Sequence, residues 1–425
     1  MNHTRLALLV AICTPLAATG CIERLPPRPA PEVPPYPQEK FDSPLNAWHS
    51  YQRAGDLLDE QVRWPQYQRG PLTPEQVVQL AAYLEHQQPA LTALDRAIAA
   101  PYCVVPRFDF QEPRFPEFAR IRDLARLRTI QGRVLMHQGD TSGAVDAWLD
   151  TIELGHDMMQ EGVLIGRLVG IASDAIGSAP LRGFVQQGQG TARDYREIIT
   201  RFTELEANRF PYADMLGREF AGHEPWLREA AAHPTKLVVF VGTRPGGGYG
   251  KWKLADIWET LAILTQSDVV LSNYYTYWSM VIEDAGRPYP QRDRMLAEKV
   301  SSEPVTRSFY PTYSKARMRE LYDVARLRAV VVMAGLQLYR LDNGKLPATL
   351  DDLRPDYLPE VPRDPYSDQP YGYLRLPGDR FVVYSVGPDG KDDRAEVELE
   401  WPRETGEGDI IFREGEGEPT RNRPQ

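Results

Sequence analysis

Few residues of this 425-residue chain have the types and spacing that an active site requires. His223 and Glu224 begin like a zinc-protease motif, but Leu227 stands where that motif needs its second histidine. His156 and Glu161 are five residues apart, a poor fit to two metal ligands on one helical face. No Gly-x-Ser-x-Gly motif occurs. The sequence therefore assigns no catalytic residue and favours a non-enzymatic protein. An envelope hydrolase with its active site among the helices is the alternative interpretation.

A glycine-rich stretch over residues 242–251 invites comparison with a phosphate-binding loop. Pro245 occupies the position of the first glycine, and Trp252 stands where a Ser or Thr should hold magnesium, so a flexible exposed loop is the better interpretation. The chain has 49 Lys+Arg against 59 Asp+Glu, a net charge of −10. This balance argues against a protein that must neutralise nucleic-acid phosphates. We expect neither a nucleotide nor a nucleic acid as partner.

The N-terminus has the layout of an export signal. Arg5 precedes an apolar run over residues 6–12, which is too short to cross a bilayer, and small residues lead to Ala18-Thr19-Gly20-Cys21. This ending resembles the lipobox of bacterial lipoproteins, which implies that residues 1–20 are removed and that Cys21 is acylated with fatty acids such as palmitate. Because Ile22 replaces the Asp of an inner-membrane retention signal, the resemblance favours the outer membrane, facing the periplasm or the cell surface. The alternative is an ordinary secretory signal with a chance cysteine.

Proline is the compositional outlier, with 37 residues in the chain. Eight of them lie within residues 21–45, directly after the predicted lipid anchor. Because proline removes a backbone donor and fixes φ, we predict an extended polyproline-like tether that holds the folded body away from the membrane. Recognition by an aromatic groove is the alternative role of such a segment. Once the signal is removed and Cys21 is acylated, Cys103 is the one remaining thiol, either reactive or a small buried apolar residue.

Residues 46–313 have the pattern of an all-helical body. Thr73-Pro74-Glu75-Gln76 is a helix-start signature, with N-cap, proline and capping-box residues in sequence. Gly132, Ala144 and Trp148 have the small-and-large spacing of a tetratricopeptide-like helical hairpin, which gives a partner-binding groove as one hypothesis and generic helix packing as the other. An aromatic cluster is interpreted as buried filling, with sugar stacking or a membrane interface as the alternative: Tyr274, Tyr275, Tyr277 and Trp278. Further helices are predicted over residues 118–137, 142–160, 164–186 and 191–208.

After residue 313 the pattern changes to a long apolar helix over 314–341, ended by Asp342-Asn343-Gly344. Residues 371–376 and 380–385 alternate as strands across Pro377-Gly378-Asp379 and predict a hairpin, with a third strand at 396–401 or 409–412. We expect an α+β protein overall: a large helical body, a small domain over 314–412 with one helix packed on an antiparallel sheet, and a disordered tail over 413–425.

Three motifs that follow one another along this last region together resemble a known family. They occupy residues 338–347, 361–371 and 384–390, the last reading Tyr-Ser-Val-Gly-Pro-Asp-Gly. In this order they resemble the globular domain of the major pseudopilin of type II secretion systems, over about residues 315–412. The resemblance implies a structural calcium ion held by the last loop through carboxylates and backbone carbonyls.

Asp389 and Asp409 match the positions of the calcium ligands in that family. Gly408 replaces the adjacent acidic residue of the family, so Asp392 or Asp393 would have to complete the coordination. A solvated acidic turn is the alternative interpretation of the four aspartates.

The chain also departs from that family. A pseudopilin begins with a membrane-spanning helix that drives polymerisation, whereas here a long helical body precedes Ser314, and Arg317, Arg319 and Glu320 open the helix. We therefore expect a subunit that does not polymerise. The function expected from the sequence is that of a lipid-anchored, non-enzymatic envelope protein with a helical interaction or scaffold domain. Envelope proteins, including those of a type II secretion or pilus-like apparatus, are the expected partners.

Overall fold

The computed structural model describes residues 22–59, 72–107, 117–233, 235–236, 264–293, 296, 304–399 and 406–415, with the backbone alone for 304–312. Several predicted features lie outside these residues: the signal peptide over 1–20, Cys21, the glycine-rich loop over 242–251 and residues 416–425 of the tail.

The protein is α+β, and most of the described chain is helical. The helices are α1 (Gln38–Asp42), α2 (Ala47–Asp56), α3 (Pro74–His86), α4 (Gln88–Ile98), α5 (Glu117–His137), α6 (Thr141–Met159), α7 (Leu164–Gln186), α8 (Ala192–Ala207), α9 (Tyr212–Ala232), α10 (Ser267–Ala285) and α11 (Pro304–Asn343). The strands are β1 (Gly372–Leu376), β2 (Arg380–Ser385) and β3 (Ile410–Arg413). Short 3-10 turns lie at Tyr289–Gln291 and Leu350–Leu353.

The starts of the helices follow local side-chain chemistry. At α3 the hydroxyl of Thr73 accepts a hydrogen bond from the Gln76 amide, while the Gln76 side chain accepts one from the Thr73 amide. The same reciprocal arrangement joins Thr191 and Asp194 at the start of α8. Each pair satisfies two amides that have no partner within the helix. The helices predicted from residue 118 to residue 208 agree with α5 to α8 within one residue at each end.

Small residues allow α5, α6 and α7 to pack closely. A Cβ added at Gly132 would lie 2.5 Å from the ring nitrogen of Trp148, and one added at Gly170 would meet the Gly155 carbonyl oxygen and the Met159 side chain. The pairing of Gly132 with Trp148 is the hairpin contact expected from their spacing. α6 and α7 consequently share the most extensive helix–helix contact in the described chain.

The long helix α11 joins the helical body to the sheet. It begins at Pro304, earlier than the predicted start at Ser314, so the predicted domain boundary falls inside it. Leu321 and Ala325 of α11 lie in one buried cluster with Trp148 of α6 and with Phe381 and Val383 of β2. The Tyr371 hydroxyl donates to the Ala325 carbonyl at 2.8 Å. The helices and the C-terminal module therefore share a common hydrophobic core.

The sheet is antiparallel with the strand order β1-β2-β3. Gly372 pairs with Tyr384 and Leu376 with Arg380, which is the predicted hairpin. Gly378 and Asp379 turn the chain with φ values of 80° and 53°, a conformation that glycine and aspartate tolerate. Ser385 pairs with Ile410, so β3 corresponds to the second predicted alternative, 409–412. The first predicted alternative for the third strand was 396–401, and residues 400 and 401 of it lie outside the described residues.

Residues 22–37 of the proline-rich segment form no helix or strand, as predicted, but residues 38–42 of the predicted tether form α1, and the segment does not stand away from the body. Residues 22–37, the N-terminal strap, lie along α10 and then reach α9. Ile22, Ala30 and Val33 pack against the core cluster of α9 and α10. The expectation of a free spacer over these residues is therefore corrected: the strap lies against the folded protein, because its backbone finds polar partners on α10.

The aromatic cluster of α10 is largely buried. Tyr274, Tyr277 and Trp278 have no exposed surface, and Trp278 packs edge-on against Tyr313 of α11 at 5.1 Å between ring centroids. This matches the interpretation of the cluster as core filling rather than as a sugar platform.

Among the described helices, α7 alone is long and apolar enough to cross a membrane by length and composition. About two thirds of its most apolar window is buried inside the protein. α7 packs against α5, α6 and α11, and this central position accounts for its apolar composition.

Candidate functional site

The acidic loop between β2 and β3 contains the four aspartates predicted from the sequence. Asp409 is fully buried, and its carboxylate accepts hydrogen bonds from the amides of Ala395 at 2.7 Å and Asp393 at 3.4 Å. Burial raises the pKa of Asp409, and the negative charges of Asp392 and Asp393 raise it further. Asp392, Asp393 and Asp409 therefore lie within electrostatic reach of one another.

The other carboxylates of the acidic loop also contact backbone amides. Asp392 accepts from the Tyr384 hydroxyl at 3.0 Å and from the Arg394 amide at 2.9 Å. Asp389 accepts from the amides of Lys391 at 3.1 Å and Gly408 at 3.4 Å. Among the residues described, no three His, Cys, Asp or Glu side chains are grouped so that they could share a metal ion. The loop thus orients its aspartates through backbone amides, and a carboxylate that accepts such bonds still has lone pairs for a cation.

Asp364 is a structural residue that sequence reasoning did not single out. Its Oδ1 accepts from the Ser385 hydroxyl and the Tyr366 amide, at 2.9 and 3.0 Å, and its Oδ2 accepts from the Val386 amide at 2.9 Å. Burial raises the pKa of this carboxyl. The bond to the Tyr366 amide two residues ahead is a local turn that an Asp-Pro dipeptide could have indicated. The contacts with Ser385 and Val386 join distant segments, and Asp364 thereby fixes the start of the acidic loop.

A cavity of about 500 Å³ lies between α9, α10, α11 and the acidic loop. Arg292 and Arg317 line it together with Asp284, Asp293 and Asp389. Burial, with the neighbouring Arg317 charge, lowers the pKa of Arg292 to about 10. Since cations and carboxylates both line this cavity, its charges favour neither an anionic nor a cationic ligand.

The Arg side chains of this cavity are occupied with structural contacts. Arg292 donates to the Ala285 carbonyl at 2.9 Å and so caps the end of α10. Arg317 pairs with Glu320 at 3.1 Å and lies over the Tyr212 ring at 4.6 Å. The Tyr289 hydroxyl donates to the Pro388 carbonyl at 2.9 Å, which connects the acidic loop to the segment after α10. The cavity is therefore a junction between the helical body and the C-terminal module.

The two histidines considered for metal binding are buried in helix interfaces. Burial lowers the pKa of His156 to about 4 and that of His223 to about 4, so both rings are neutral at pH 7. His156 contacts the Asn208 carbonyl oxygen at 3.3 Å, and His223 lies 3.8 Å from Glu219. Neither histidine is among the described residues that line the cavity. Cys103 is buried as well, and burial raises the pKa of its thiol, which is the environment of a small apolar residue rather than of a nucleophile.

Comparison with known proteins yields no match to a family model, to a curated protein sequence or to a solved structure.

Proposed function

We propose that this chain is a lipid-anchored, non-enzymatic protein of the cell envelope, with a helical scaffold and a pseudopilin-like, calcium-stabilised C-terminal module. The observation that carries the proposal is the placement of α11. Its residues from Leu321 to Leu338 are mostly buried between the helical body and the sheet. A helix covered in this way has no free face with which to form the spine of a polymer, so the module acts within a single chain.

The proposed partners are envelope proteins, including components of a type II secretion or pilus-like apparatus. The resemblance of residues 315–412 supports this choice, and the fusion of that module to a large helical body favours a docking role over a subunit role. Crosslinking in the producing cell followed by purification of the full chain tests the proposal. We expect proteins of the secretion machinery to be recovered with the wild-type chain and to be lost with Cys21→Ser, which lacks the acylation site and therefore the lipid anchor. Recovery of the chain alone in both preparations would contradict the proposed role.

Calcium is proposed as a structural ion of the acidic loop. The negative charges of Asp392 and Asp393 act on the buried carboxyl of Asp409, and a divalent cation bound by the loop would relieve that repulsion. Calcium takes six to eight oxygen ligands, so backbone carbonyls of the acidic loop would supply the rest. The bound ion would hold the loop between β2 and β3 in one conformation.

The calcium proposal is tested on the full chain by thermal unfolding with calcium and with a chelator. We expect calcium to raise the melting temperature of the wild-type protein and to have little effect on Asp389→Asn. Asp356→Asn serves as a matched control, because Asp356 is exposed on the same module outside the acidic loop. Equal melting temperatures with and without calcium, together with no heat of binding in calorimetry, would show that the loop is an acidic turn and not an ion site.

The alternative of an envelope hydrolase would require a cavity in which a histidine and carboxylates converge. The described residues lining the cavity beside the acidic loop supply carboxylates and guanidinium groups without a histidine. His223 and Glu219 are neighbours, but both are buried in the packed core between α9 and α10. No observation on the described chain therefore favours a hydrolase over the scaffold.

A further inference from the structure

The strap is held on α10 by a repeating set of hydrogen bonds. Three polar side chains on one face of α10 donate to strap carbonyls: Asn273 to Glu23 at 2.8 Å, Thr276 to Pro26 at 3.1 Å and Ser279 to Pro29 at 2.8 Å. The donors on α10 and the acceptor carbonyls on the strap both recur at every third residue. A polyproline helix has three residues per turn, so every third carbonyl faces the same side, and residues three apart on an α-helix share a face.

The strap also donates hydrogen bonds to the same face of α10. The Leu25 amide donates to the Asn273 side chain at 2.9 Å, and the Arg28 amide donates to the Thr276 hydroxyl at 3.1 Å. Asn273 has no exposed surface and Thr276 has 1%, so these bonds are shielded from water. Shielded bonds to buried polar groups are costly to break, because each group would remain without a partner.

Further contacts hold the strap at both ends. At its start the Ile22 amide donates to the Gln266 side chain at 3.3 Å, and Arg24 pairs with Asp268 at 3.2 Å. Near its end the Arg218 guanidinium of α9 donates to the Pro34 carbonyl at 2.6 Å, and the Tyr36 hydroxyl donates to the Val105 carbonyl at 2.6 Å. The strap is therefore a fixed part of the fold from its first described residue.

This arrangement changes the distance between the lipid anchor and the body. A free strap at about 3.1 Å per residue would allow a separation of about 50 Å, whereas in the docked strap the residue directly after Cys21 already hydrogen-bonds to Gln266 at the start of α10. Leu264, just before α10, is 38% exposed and so places an apolar side chain at the same end of the molecule. An exposed apolar side chain and the exposed Arg24 at this end of the molecule suit the headgroup region of a bilayer.

We propose that the end of the protein formed by Ile22, Leu264 and the start of α10 lies directly on the bilayer surface, with the strap holding the body against the lipid headgroups. This proposal rests on the proposed lipid anchor at Cys21. It assigns a membrane-contacting face to the body, whereas a lipoprotein with a free tether would have none.

A fluorophore on the exposed position Asp268→Cys tests the proposal; this variant loses the exposed pair with Arg24 but keeps the bonds of Asn273 and Thr276 to the strap. Arg287→Cys is the control just beyond the opposite end of α10, about 28 Å away along the helix direction. The acylated full chain is reconstituted in vesicles of phosphatidylethanolamine and phosphatidylglycerol that contain headgroup-nitroxide lipid. We expect strong quenching at residue 268 and weaker quenching at residue 287. Equal quenching at the two positions, or none at either, would overturn the proposal.

A second variant tests whether the short link between Cys21 and the strap sets this contact. Inserting about twelve Gly/Ser residues between Cys21 and Ile22 gives a flexible reach of about 20 Å while leaving the strap and the fold unchanged. We expect the quenching at residue 268 to be lost in this variant, and its retention would show that the anchor does not set the contact. Mass spectrometry of the N-terminal peptide is read first. A chain without acyl groups refutes the proposed anchor itself, whereas an acylated chain without quenching refutes only the membrane-contacting face.

Discussion

Replacing Glu219 by glutamine measures how the ionisation of one buried carboxyl group changes the free energy of unfolding. Glu219 lies on α9 in the core shared with α10, where its Oε2 accepts a hydrogen bond from the Leu164 amide at 2.9 Å. This amide is the first of α7 and has no partner within that helix. Burial raises the pKa of Glu219 from 4.5 to about 7. A glutamine at this position keeps an oxygen for the Leu164 amide and removes the titration.

The sign and size of the effect follow from the shift in pKa. Between pH 4.5 and about 7 the unfolded chain loses the Glu219 proton while the folded protein keeps it, so the wild-type free energy of unfolding falls as the pH rises. At about 1.4 kcal/mol per pKa unit, the fall attributable to this group is about 3 kcal/mol. Glu219→Gln lacks this contribution, and its stability relative to the wild type should therefore increase from pH 5 to pH 8.

Urea unfolding of both proteins at several pH values between 5 and 8 measures the effect. His223 is present in both proteins, so its own titration largely cancels in the comparison. Glu229→Gln is the matched control, since Glu229 lies on the same helix but is exposed and pairs with Lys236. A difference in stability between Glu219→Gln and the wild type that stays constant from pH 5 to pH 8 would refute the reasoning.

Two further substitutions test the packing of the helices and of the acidic loop. Gly170→Ala should destabilise the protein by about 1–3 kcal/mol in urea unfolding, because the added Cβ would meet the Gly155 carbonyl oxygen between α6 and α7. Asp364→Ala should cost about 3 kcal/mol and lower the melting temperature, because it leaves the buried Ser385 hydroxyl and the Tyr366 and Val386 amides without their carboxylate acceptor.

Each of these substitutions has a control in the same protein. Gly286→Ala follows α10, where the nearest atom to an added Cβ is 3.5 Å away, and should change stability little. Asp356→Ala removes an exposed carboxylate from the C-terminal module and should likewise have a small effect. Equal losses for Gly170→Ala and Gly286→Ala would argue against a tight α6–α7 contact. A neutral Asp364→Ala would argue against its role in fixing the loop.

The elements that could be predicted from the sequence are those specified by neighbouring residues. The capping box at Thr73 and the hairpin across Pro377-Gly378-Asp379 involve contacts within a few positions, and both form as predicted. Asp389, Asp392 and Asp393 of the acidic loop also lie near one another along the chain, whereas Asp409, sixteen positions after Asp393, was expected with them from the resemblance. Their binding of backbone amides was not predictable, because it depends on the exact path of the loop.

Contacts between distant residues account for what the sequence did not reveal. The strap was expected to be free because proline-rich segments make few local bonds, yet its partners on α10 lie about 250 positions away. Arg167 and Asp174 of α7 are polar residues with no sequence signal for burial, and only packing shows that both are buried. Arg167 lies 3.6 Å from Glu320 of α11, a pairing that required the two helices to be placed in space.

The position of α11 late in the chain has a consequence for the order of folding. During synthesis or export the helices before residue 293 emerge first, and domains generally fold from the N-terminus as they emerge. The apolar faces that α7 and α8 turn toward α11 are covered only after that helix arrives. Until then the chain carries an open hydrophobic surface and is vulnerable to aggregation and proteolysis. The last third of the chain thus acts as the closing step of folding, and a chain interrupted before α11 should be degraded rather than accumulate as a stable helical body.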